Sequence, residues 1–120
     1  MNWNKAKEML LENIKVGNKI DPKSNLREVT RIPNNEAGSF SIKIGTNGNT
    51  ILVSMEMLEN IFNKTLDNNN IYKKEIIYKL YKKEVDGHSC YVHSVGHLFR
   101  YARVMKKNKS REFEIIDIKE

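Results

Sequence analysis

Cys90 is the only cysteine in 120 residues, so no internal disulfide can form. No apolar run approaches the roughly 20 residues that span a bilayer. The start, Met1-Asn-Trp-Asn-Lys, leads into an amphipathic pattern and lacks the apolar stretch and small-residue cleavage site of an export signal. These absences lead us to expect a cytoplasmic protein with no membrane contact.

Several chemistries lack their motifs. Gly45 to Gly48 is glycine-rich, but no Gly-Lys-Ser/Thr ending makes it a P-loop. Gly87 and Gly96 do not form a dinucleotide fingerprint. Asp86, Glu112 and Glu114 have no diagnostic nuclease spacing. There is no internal repeat, low-complexity tract or linker. We therefore expect one domain, residues 1–120.

What is present is positive charge. Lys and Arg number 21 against 15 Asp and Glu, giving a net charge of +6 and a pI near 9.4. Hydrophobic residues make up 39%, enough for a modest core. Such a balance favours anionic partners, with a merely solvated basic surface as the plain reading.

The periodicities predict an α+β fold: a small antiparallel β-meander packed with about four helices. Trp3, Ala6, Leu10 and Ile14 recur at helical spacing, with Asn4 as N-cap and Gly17 after the last turn. Residues 26–32 read as a strand with Arg27 and Arg31 on one side. Residues 39–45 alternate, placing Phe40, Ile42 and Ile44 on one face. Asn47-Gly48 is a type I′ hairpin signal leading into a strand over 50–53. Residues 16–20 are a candidate edge for this meander.

Ser54 caps a second helix carrying Leu58, Ile61, Phe62 and Leu66. A third is predicted from 71 to about 84, with Ile76, Ile77, Leu80 and Tyr81 inward and lysines around them. The fourth starts near Cys90 and runs to Lys107. After a turn at 108–110, residues 113–118 read as a last strand of the meander.

The fourth helix holds the candidate site. Val92, Val95, Leu98, Phe99, Ala102 and Met105 form its core stripe. Gly96, Arg100, Arg103 and Lys107 form another, with His93 and His97 between. The third helix, the turn at 86–89 and the fourth helix have helix-turn-helix proportions. We name His93, His97, Arg100, Arg103, Lys106, Lys107, Lys82 and Lys83 as candidate nucleic-acid contacts, with Lys109 and Arg111 beyond them. The arginines fall late in this helix, whereas base contacts usually come from its first turns.

Cys90, His93 and His97 stand at i, i+3 and i+7, a subordinate alternative for metal. They lack the paired spacing of structural zinc sites and any Glu for a His-Glu-x-x-His motif. A Cys90–His93 dyad along one helix lacks an oxyanion loop. Packing and hydrogen bonding are the plainer roles for these three residues.

The leading expectation is a non-enzymatic, cofactor-free module for nucleic acid, duplex DNA above RNA. It would be an accessory or recognition unit of the kind used in restriction, phage or mobile-element systems. The alternative is an adaptor or inhibitor whose basic face meets an acidic protein. A metal- or cysteine-dependent enzyme ranks third.

Overall fold

The computed structural model describes residues 1–46, 48–109 and 111–116. Helix α1 spans Trp3–Asn13. Asn2, not Asn4, caps it, because its side chain accepts the Lys5 N–H at 2.9 Å. The helix ends before Gly17, which adopts φ +94° in the turn that follows. Ala6, Leu10 and Ile14 are buried as the spacing requires, and Trp3 packs on Phe62 at 5.9 Å.

Strands β1 (Arg27–Arg31), β2 (Ser39–Ile44) and β3 (Asn49–Ser54) form an antiparallel sheet in that order. Phe40 and Ile42 face the core opposite Val53 and Ile51. The register of β1 slips between Val29 and Arg31, so Arg27 and Arg31 do not keep the expected alternation. The β2–β3 hairpin closes with the pair Ile44↔Asn49. Asn47, half of the expected type I′ pair, lies outside the described residues. The candidate edge at 16–20 lies along β1: Lys19 bridges Glu28, the Gly17 and Ile20 N–H groups donate to the Val29 and Arg27 carbonyls, and the Asn18 carbonyl accepts the Val29 N–H.

Strand β3 runs directly into α2 (Met55–Leu66), where the Ser54 hydroxyl accepts the Met57 N–H at 3.0 Å. Ser54→Ala removes this cap and should lower stability by about 1 kcal/mol, read from the urea midpoint. Leu58, Ile61 and Phe62 fill the core, and Phe62 meets Phe99 at 6.3 Å.

Three further elements differ from the expectation: α3, α4 and the last strand. Residues 71–72 are not helical. After left-handed Asn69 and Asn70, they form β4 (Ile71–Tyr72), and helix α3 is Lys74–Val85. The buried Tyr72 hydroxyl then donates to the Val92 carbonyl at 2.8 Å. Leu80 is 38% exposed because α3 kinks at Tyr81, turning part of the predicted apolar side outward.

Helix α4 is Cys90–Tyr101 and does not reach Lys107. The Arg103 N–H bonds to the Arg100 carbonyl and the Val104 N–H to the Phe99 carbonyl. This Schellman stop places Arg103 in the left-handed C′ position at φ +68°. The continuous basic stripe is therefore broken. Met105 reaches the core from strand β5 (Met105–Lys109), not from the helix.

Finally, β6 (Glu112–Ile115) does not join the meander. It is the middle strand of a second antiparallel sheet, ordered β4-β6-β5. Its register sets Phe113 against Tyr72 and Lys107. Ser110 and residues 117–118 of the expected turn and strand lie outside the described residues. The two sheets and four helices share one apolar core centred on α2 and α4.

Candidate nucleic-acid interface

The β5–β6 hairpin stands beside α4 because Gly96 lets it approach. A Cβ at Gly96 would lie 2.4 Å from Cε2 of Phe113. Phe113 is buried there, edge-on to His97 at 5.4 Å and near Tyr72 at 6.2 Å. This wedge holds Lys106, Lys107, Lys109 and Arg111 out in solvent. Glu112 and Glu114 lie half-buried on β6, so the exposed cations outnumber the hairpin's carboxylates.

Next to the hairpin lies a depression of about 290 Å³ lined by Lys74, Tyr78, Ser89, Val92, His93 and Arg111. It joins the N-terminal turn of α3, the N-terminal turn of α4 and the hairpin turn. Among the described residues no carboxylate lines it. The His93 imidazole is held below the ordinary histidine range, first by burial and then by Arg27, Arg111 and Lys107, against the opposing pull of Asp21. Neither Lys73 before α3 nor Ser89 before α4 makes a side-chain cap. Among the described residues no side chain accepts the first-turn N–H groups of either helix, and those of Ile76, Tyr91 and Val92 bond to the Lys73, His88 and Ser89 carbonyls.

The rest of the outer face of α4 is covered. Arg27 Nη1 pairs with Asp21 Oδ2 at 2.7 Å, and its Nε donates to Ser94 Oγ at 3.1 Å. Two turns on, Arg100 Nη2 donates to the Ile20 carbonyl at 3.0 Å. These bonds fasten the 20–27 segment across the helix, and Ser94 and His97 are buried. The Asp21 carboxyl lies below its usual range. Burial alone would raise it, but the Lys23 N–H, the Ser24 hydroxyl, His97 and Arg27 together outweigh burial.

His97 is 6% exposed, and its Nδ1 has no partner among the described residues. Burial pushes its imidazole down to about 4, with Arg100, Arg27 and Lys107 adding to burial and Asp21 opposing it. In the unfolded chain a histidine titrates near roughly 6.5. Between those values the unfolded chain binds the extra proton, so stability falls as pH drops through the window. We expect the Tm to decline from pH 7 to pH 5. His97→Gln should flatten that decline, and His93→Gln should separate the smaller share of the same sign. The Asp21 contribution is retained throughout this range and lost only at lower pH.

The eight residues named from the sequence are therefore dispersed. His93 lines the depression. Lys106 and Lys107 stand on the adjoining hairpin. His97 is interior, Arg100 is half-buried and tethered, and Arg103 is exposed past the end of α4. Lys82 and Lys83 are exposed in the last turn of α3, about 12 Å along that helix from Lys74. Tyr78 and Ser89 are absent from that set, and no local periodicity marks them. Cys90, His93 and His97 do not assemble a centre: among the described residues, no group of three His, Cys, Asp or Glu side chains could hold a metal ion.

Among the described residues no helix is long and apolar enough to cross a membrane. No protein-family model, curated protein or solved structure matches the chain.

Proposed function

We propose that this chain is a non-enzymatic, cytoplasmic module that binds duplex DNA. The β5–β6 hairpin and the N-terminal turns of α3 and α4 form the grip. The observation that carries the reading is the depression where Lys74, His93 and Arg111 meet between those three elements, lined by no carboxylate among the described residues. The N-terminal turns of both helices present a favourable dipole to a phosphate. The hairpin lysines add sequence-independent attraction.

Residues 86–89 join α3 to α4, and we read the pair as a helix-turn-helix unit. The covered outer face of α4 restricts how such a unit works. Base contacts then fall to Ser89 and His93 in its first turns, where recognition helices usually make them. Arg100 is occupied with Ile20, so it serves the architecture before it serves a base.

The test is fluorescence anisotropy with a labelled duplex across a salt series, beside polyglutamate as an acidic-protein surrogate. Duplex affinity should fall log-linearly with salt and exceed polyglutamate affinity at matched charge. Equal or tighter polyglutamate binding would favour the adaptor reading instead.

A further inference from the structure

Arg103 sits where a glycine would be more comfortable. At the C′ position of a Schellman stop the left-handed backbone clashes with any Cβ, and glycine is the usual occupant. Among the described residues, four other than glycine have positive φ: Asn69, Asn70, Arg103 and Arg111. Asparagine tolerates this region well. The two arginines do not share that tolerance, and Arg111 already lines the depression at the start of α4. Strain kept at an exposed cation directs attention to its side chain.

Arg103 lines a second, larger depression of about 670 Å³ at the other end of α4, with Asn13, Lys19, Pro22, Arg100 and Tyr101. Again no carboxylate lines it among the described residues. Lys19 is paired with Glu28, so its charge is partly answered. Arg100 and Arg103 have no carboxylate partner among the described residues, and Arg100 Nε is buried without any partner. Asn13 Nδ2 donates to the Ala102 carbonyl at 2.8 Å, fixing the backbone just before Arg103. His93 and Arg100, seven residues apart, fall on the same face of α4, about 10 Å from each other. The two depressions thus follow one side of the helix.

We infer that the depression around Arg100 and Arg103 binds a phosphate group of the DNA backbone. It is a second anchor, separate from the hairpin, and it rests on the duplex-binding reading above. Arg103 supplies the free cation. Arg100, held by Ile20, supplies a fixed guanidinium whose position costs no ordering on binding.

The test is Arg103→Gly, with Arg103→Lys beside it, in salt-titrated duplex binding. Glycine relieves the strained φ, so the variant should unfold at the same or a higher temperature. Any lost binding then cannot come from misfolding. One phosphate contact fewer should make the log–log salt slope shallower by about 0.9 and weaken binding about three- to tenfold at low salt. Lysine should restore most of the slope. If Arg103→Gly binds like the unaltered protein while hairpin variants weaken, this anchor is overturned and the hairpin reading stands. If the unaltered protein does not bind duplex at low salt, the hairpin reading fails and the backbone phosphate fails with it.

Discussion

The double variant Lys107→Ala, Arg111→Gly is expected to bind duplex DNA on the order of 10- to 100-fold more weakly at about 0.1 M salt, with a salt slope shallower by about two. Each side chain stands for one phosphate contact. Lys107 is exposed on β5, and Arg111 lines the depression between the helix N-termini. Neither change should unfold the protein. Arg111 has φ +68°, which glycine adopts more readily, and Lys107 leaves the core untouched. The control is Lys82→Ala, Lys83→Ala at the far end of α3. Those lysines contribute only to the general field, so the control should change affinity by about twofold or less under the same salt. Matched losses in the two double variants would assign binding to net charge rather than to the hairpin.

Gly96→Ala is expected to cost about 2 kcal/mol or more of stability, measured as a lower urea midpoint with an unchanged m-value. Alanine improves helix propensity by about 1 kcal/mol over glycine, which opposes the loss. The clash outweighs it. The new Cβ would lie 2.4, 2.7 and 2.8 Å from three atoms of the Phe113 ring. That ring is buried between Tyr72 and His97, which resist its retreat. Phe113→Leu in the Gly96→Ala background should recover part of the loss, because a smaller side chain leaves room for the methyl. The same contact sets the hairpin against α4, so Gly96→Ala should also weaken duplex binding beyond its effect on the folded fraction. Full affinity in the folded fraction would separate the hairpin's placement from this contact.

Local patterns were sufficient for much of the fold. The alternation of Phe40, Ile42 and Ile44, the Ser54 cap and the stripe of Val92, Val95 and Phe99 each state a period or a terminus within a few residues. The misplaced pieces depend on distant partners. Ile71 and Tyr72 have helical-looking neighbours, yet Tyr72 bonds to Val92 and pairs with Phe113. Met105 continues the helical stripe in angle, but the Schellman bonds at Arg103 end the helix first. Nothing in the composition around residue 103 announces that stop, because the usual glycine is an arginine.

The site divides in the same way. The basic cluster near the C-terminus was legible as charge. Its division into a hairpin and two depressions was not, since that follows from the turn at Arg103 and the pairing of β6 with β4. Arg27 and Ser94 lie 67 residues apart, so no spacing rule joins them. Their bond is what keeps most of α4 from presenting an open face. His97, equally conspicuous in the sequence, becomes a buried neutral imidazole against Phe113.

The most direct test is an amide-resolved NMR titration of the intact protein with a short duplex at low salt. We expect the largest shifts at residues 73–75, 89–93 and 105–111, with a second group around 100–104. Shifts confined to the β1–β3 sheet, or none at saturating duplex, would contradict the hairpin-centred account.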